Sequence, residues 1–140
     1  THPSEGEIAF GAPVVLGTAG AVKPWEAAST AAKFVGVALR EVKSATDYMN
    51  QNEGGYHKNE AVPVMKRGCV NVICQNGTPA PGGKVYIRIV ENESYPKAVI
   101  GGFEAAADTG KNVELTNAQW KGSADANGVA EMRILTILNA

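Results

Sequence analysis

Lys84-Val85-Tyr86-Ile87-Arg88-Ile89-Val90 decides the fold class. Val85, Ile87 and Ile89 fall on one side of an extended chain, and Lys84, Tyr86 and Arg88 fall on the other. That is the period-2 alternation of a half-buried strand, not the 3.6-residue period of a helix. The same pattern recurs on either side. Val129 to Leu138 places Ala130, Met132, Ile134 and Leu138 on one face, opposite Glu131 and Arg133. Phe34 to Val42 predicts a third strand with Val35, Val37 and Leu39 inward. Ala61 to Cys74 carries Val62, Val64, Val70, Val72 and Cys74 on one parity, interrupted at Lys66-Arg67-Gly68 by either a bulge or a tight hairpin turn.

Weaker strands are expected at Ala12 to Leu16, Ala98 to Ala106 and Lys111 to Leu115. Turn chemistry separates them: Gly17-Thr18-Ala19-Gly20, Asn76-Gly77, Pro81-Gly82-Gly83, Asp108-Thr109-Gly110 and Asn127-Gly128. Short strands at this spacing predict an all-β sandwich or barrel with at most short helices, and not βαβ units. Pro24 to Lys33, rich in alanine behind a leading proline, fits a short helix or a hairpin. Lys43 to Glu60 is a long polar loop, and residues 1–9 are expected to form a flexible N-terminal arm on a single domain spanning 1–140.

Composition narrows the function. A chain of 140 residues supports one sizeable core. Its apolar share is 44% and its charged share 19%, and 16 glycines supply the turns that many short strands need. With 13 Lys plus Arg against 14 Asp plus Glu there is no cationic field to gather nucleic acid or anionic lipid. No apolar run approaches the ~20 residues of a membrane span. The N-terminal stretch has neither the basic nor the apolar region of a signal peptide, and Cys69 and Cys74 sit at an odd offset that points them to opposite strand faces. These features fit synthesis in a reducing cytosol.

Catalytic and metal chemistry find little support. The two histidines are His2, in the arm, and His57, in the long loop, with no Gly-x-Ser-x-Gly elbow to pair with a base. Glu53, His57 and Glu60 would cluster on a helical turn, but Gly54-Gly55 weakens a helix there, so a solvated loop is expected. Gly77 to Lys84 departs from a phosphate loop in spacing, in lacking Ser or Thr after the lysine, and in leading into a strand. Asn76-Gly77-Thr78 reads as a turn, and Glu91 and Glu93 as end-of-strand charges. No catalytic residue, metal ligand or cofactor site is assigned.

The order of segments carries more than any one of them. Phe10-Gly11-Ala12-Pro13-Val14-Val15 is followed by Phe34-Val35-Gly36-Val37-Ala38, then by Val62-Pro63-Val64-Met65-Lys66-Arg67-Gly68-Cys69-Val70-Asn71-Val72. Gly82-Gly83-Lys84-Val85-Tyr86, Gly101-Gly102-Phe103 and a block from Trp120 to Leu138 complete the series. This series resembles the capsid cement (decoration) proteins of tailed phages, including those of short-tailed phages such as the Bordetella phages, over roughly Phe10 to Leu138. The resemblance implies a jelly-roll-like β-sandwich or barrel on the outside of the virion that clamps neighbouring major capsid protein subunits. It carries no catalytic motif. The long loop and the stretch from Pro24 to Lys33 depart from the pattern.

Partner contacts are expected through isolated apolar groups on polar segments: Ile8 and Phe10 in the arm, Tyr48, Met49 and Tyr56 in the loop. Ordering such segments costs conformational entropy that a partner surface would offset. A clamp across a two-fold contact is most simply a homodimer or another symmetric homo-oligomer. The alternative is a carbohydrate-binding β-sandwich module, which would use Trp25, Trp120 and the loop tyrosines as platforms. Each tryptophan reads first as a packing residue.

Overall fold

The structure is a computed structural model that describes residues 1–41 and 54–137. It is all-β. In chain order the strands are β1 (His2–Pro3), β2 (Ile8–Ala9), β3 (Pro13–Leu16), β4 (Val22–Pro24), β5 (Phe34–Ala38), β6 (Gly55–Tyr56), β7 (Ala61–Val62), β8 (Val64–Met65), β9 (Gly68–Ile73), β10 (Lys84–Arg88), β11 (Phe103–Glu104), β12 (Asn112–Trp120) and β13 (Val129–Ile134). Helix among the described residues is limited to single 3-10 turns at Thr18–Gly20 and Ala31–Lys33.

Three layers stack. A five-stranded sheet runs β11-β10-β12-β13-β9, and a four-stranded sheet runs β4-β3-β5-β8. The ladders β1-β7 and β2-β6 form the third layer. All named pairings are antiparallel.

The main core lies between the two larger sheets. Val85, Ile87, Leu115, Trp120, Ala130, Met132 and Ile134 meet Val15, Trp25, Phe34 and Val37 there. These are the inward parities of the sequence pattern, and apolar burial of this kind drives the packing of the two sheets. The far face of the four-stranded sheet carries a second, smaller core of Ile8, Val14, Val22, Ala38, Tyr56 and Val62. Successive residues Val14 and Val15 therefore enter different cores, and both are buried.

The second core explains several departures from expectation. Residues 1–9, expected as a free arm, are paired onto the body. β1 joins β7, β2 joins β6, Ser4 N donates to Glu60 O and Glu5 N donates to Val22 O. Val62 and Val64 belong to this smaller core, whereas Val70, Val72 and Cys74 serve the main one. In β5 the partner register steps from Val14↔Gly36 to Val15↔Phe34, leaving Val35 as an extra residue. That bulge turns Val35 toward the smaller core while Val37 faces the main one.

Lys66-Arg67 is neither a bulge nor a hairpin turn. β8 pairs with β5 and β9 with β13, so these two residues carry the chain from one sheet to the other. The stretch from Pro24 to Lys33 is neither a helix nor a hairpin: β4 ends at Pro24, and a turn (Ser29 N to Glu26 O) precedes the 3-10 turn. The strand expected over Ala98 to Ala106 shortens to β11. Of the expected long loop, Gly55–Tyr56 forms β6; residues 42–53 lie outside the described residues, as does Leu138.

The five-stranded sheet curls until its edges approach. The register of β10 with β12 shifts between Lys84 and Val85, with Lys84 opposite Gln119 but Val85 opposite Leu115. At one end the two edges are stitched together: Gln75 N donates to Phe103 O at 2.9 Å and Ala105 N donates to Asn76 O at 2.8 Å. The sheet is not a closed barrel, because the stitching stops there.

Candidate interaction surface

Where the stitching stops, β9 runs on as an edge strand. Its register with β13 pairs Ile73 with Val129, Val72 with Ala130, Asn71 with Glu131, Val70 with Met132 and Cys69 with Arg133. The next pair along is fixed by Cys74 N donating to Gly128 O. In an antiparallel ladder hydrogen-bonded pairs alternate. Val70 and Val72 therefore bond β13, and the main-chain groups of Cys69, Asn71 and Ile73 point away from it. Those three residues have no other backbone bond among the described residues.

Beside this edge lies an apolar groove of ≈ 420 Å³. Its walls are Val70 to Ile73 of β9, Phe10 to Ala12, Ala38 to Arg40, and Val99 with Gly101 to Phe103. Ile73 is 64% exposed and Val99 62%, with Ile100 exposed next to Val99. Arg40 is the charged side chain in the lining, and it makes no ion pair or hydrogen bond among the described residues. Gln75 fixes one wall, its amide donating to Val99 O at 2.8 Å and accepting from Val99 N at 3.0 Å. A Cβ at Gly102 would lie 2.1 Å from the Gln75 side chain, so a larger residue there would displace the Gln75 amide from Val99.

On the face of β10 opposite the main core, Lys84 is exposed but the Arg88 end is covered. Arg88 was expected to face solvent with Lys84 and Tyr86, but its side chain is fully buried under the connection from Ile89 to Gly110. Its Nε and Nη2 donate to the two Glu104 carboxylate oxygens at 2.6 and 2.8 Å, and Nη1 donates to Asp108 at 3.0 Å. Gln75 and Asn112 also donate to Glu104, and Asn92 donates to Asp108. Burial alone would lower the Arg88 pKa; the hydrogen bonds and charges of Glu104 and Asp108 outweigh it and raise it. Asp108 is held below the usual carboxylate range by its Asn92 hydrogen bond and, against some desolvation, by Arg88. The cluster is internally satisfied, which makes it a fastening for the covering segment and not a reactive site.

The expected contact residues separate. Ile8 and Tyr56 are 1% and 2% exposed and are brought together in the smaller core. The Tyr56 hydroxyl donates to Leu39 O, and its pKa is pushed up to about 12 by burial, then by Glu41 and Glu60. Phe10 is half-buried, edge-on to Tyr56 at 5.1 Å, and reaches the groove wall. Tyr48 and Met49 lie outside the described residues. The β9 edge and the Val99–Ile100 corner were not singled out from sequence. The signal available was Ile73, an apolar residue on the polar parity of its strand.

Other chemistry does not assemble among the described residues. His57 Nδ1 lies 3.8 Å from Glu7 at the surface, and among the described residues no three His, Cys, Asp or Glu side chains group to hold a metal ion. Both cysteines are free, Cys69 exposed and Cys74 half-buried with its thiol pKa raised by burial. Trp25 and Trp120 are 6% and 1% exposed, so neither offers the flat platform a sugar site would use.

Comparison with known proteins supplies a family. No curated protein matches the chain. Among solved structures, a chain from the capsid of Myoviridae phage XM1 shares the fold, with a TM-score of 0.64 at 16% identity, over 98% of this chain and 81% of that one. Residues 2–135 match the family described as structural cement protein (E217 gp24/Pam3 gp6). The chain belongs to this phage structural cement family, and is a non-enzymatic component of the phage capsid.

Proposed function

We propose that the protein binds the outside of the phage head and clamps neighbouring major capsid protein subunits, stabilising the shell. The match to the cement family across residues 2–135 carries this reading. The groove beside β9, apolar and rimmed by exposed Ile73 and Val99, supports it as a surface suited to protein contact. Mass action supplies the mechanism. A protein that binds the assembled shell and not loose subunits shifts the balance toward assembly, and repetition over the lattice multiplies a modest contact. A homodimer or another symmetric homo-oligomer is part of the proposal, since a clamp between equivalent subunits favours a two-fold.

Undecorated shells mixed with the purified protein and imaged by electron microscopy should gain density at regular lattice positions on the outer surface, and should resist heating better than bare shells. Absent density removes the reading; density without added heat resistance removes the clamp.

A further inference from the structure

Resting on that shell-binding reading, we infer that an extended segment of the capsid subunit adds to the open edge of β9 as a further strand, filling the seam between β9 and the Val99–Phe103 wall. The edge offers the main-chain groups of Cys69, Asn71 and Ile73, unpaired by any backbone bond among the described residues. An unpaired edge is a template for strand addition, and in that mode main-chain bonds give affinity while pockets for alternate side chains give specificity. The seam supplies both parts: a bonding edge, and an apolar groove of ≈ 420 Å³ alongside it. The matching segment has apolar residues at alternate positions to enter the groove.

Charge selects the occupant. Lys66 and Arg67 lead into β9, Arg133 is opposite Cys69 in the ladder, and Arg40 lines the groove. None of the four makes an ion pair among the described residues, whereas nearby Glu131 is already paired with Lys121 at 3.3 Å. A second copy docked on the same edge would bring two such cationic sets together. A segment carrying a carboxylate near Arg40 or Arg67 would complement them. The capsid segment is therefore extended, apolar at alternate positions and acidic at one or both ends.

The test uses the whole chain and undecorated shells, with binding read by co-sedimentation. Asn71→Pro deletes an outward N–H that the sheet does not use, and edge strands tolerate proline at such a position. Ile73→Lys changes an exposed side chain at the groove rim. Both variants should keep the wild-type circular dichroism spectrum and bind shells about tenfold more weakly or worse, the proline through one or two lost hydrogen bonds and the lysine through a charge placed at the apolar rim. Arg40→Glu should weaken binding and make it less sensitive to salt. Folded Asn71→Pro or Ile73→Lys protein that decorates shells like the wild type overturns the strand addition and leaves the shell-binding reading standing. Should Asn71→Pro not fold, Ile73→Lys decides alone. Wild-type protein that fails to bind shells overturns both.

Discussion

At one edge of the five-stranded sheet, β11 is stitched to the Gln75–Asn76 turn and backed by the Arg88–Glu104 pair. At the other, β9 leaves three residues with their main-chain groups toward solvent. The two edges share a sheet and a core, and differ in whether polar groups are satisfied among the described residues. A buried charge must be paired and hydrogen-bonded, and the cluster around Arg88 meets that demand with Glu104, Asp108, Asn92, Asn112 and Gln75. An edge strand is a liability that proteins usually blunt with proline, with charge inside the strand or with a covering element. β9 has no proline and no charged residue from Gly68 to Ile73. The contrast teaches that this molecule closes what it must bury and leaves open what a partner can close.

The largest effect should come from breaking the closed side. Arg88→Met leaves the Glu104 carboxylate buried without its cation, and removal of one member of such a pair typically costs about 3–5 kcal/mol. Urea unfolding should show that loss, while the folded fraction still binds shells. A loss below about 1 kcal/mol would mean that the cluster does not fasten the covering segment.

Gly36→Ala comes next. A Cβ there would sit 2.2 Å from the Met65 carbonyl oxygen, so β8 would have to move, and with it the Lys66-Arg67 crossing into β9. Overpacking of this kind costs about 1–3 kcal/mol. Shell binding should fall with stability, because the four-stranded sheet sets where the open edge begins. Unchanged stability and binding would show that the edge is positioned independently of β5.

Much of this architecture was legible in the sequence, for a local reason. The main core follows from strand parity, and Val85, Ile87, Ala130, Met132 and Ile134 could be read directly. The smaller core could not, because its partners lie in polar surroundings: Ile8 follows a run of Ser, Gly and Glu, and Tyr56 sits among Gly and His. Their burial depends on pairing between β2 and β6, a non-local event. Arg88 was placed on the correct strand face, but whether that face is wet depends on a connection folding back over it. The crossing at Lys66-Arg67 was ambiguous because valines on both sides keep the same parity whichever sheet they join. The candidate surface was the least legible part, since an edge is defined by which neighbour is missing.

Acid should expose a smaller difference between the two edges. Asp108 has a folded pKa below its unfolded value near 3.9. Its contribution is therefore fully present above that value and is lost as pH falls through the lowered folded one. Asp108→Asn should flatten the acid limb of the stability curve and leave the curve above about pH 5 little changed in shape. An acid limb as steep in the variant as in the wild type would place the acid sensitivity elsewhere.

Hydrogen exchange on free and shell-bound protein tests the open edge most directly. In the free chain the amides of Cys69, Asn71 and Ile73 should exchange quickly, while those of Val70 and Val72, bonded to β13, are slow. On shells the first three should become protected and the other two should stay as they were. Amides at Cys69, Asn71 and Ile73 that exchange as quickly on decorated shells as in solution would contradict the account.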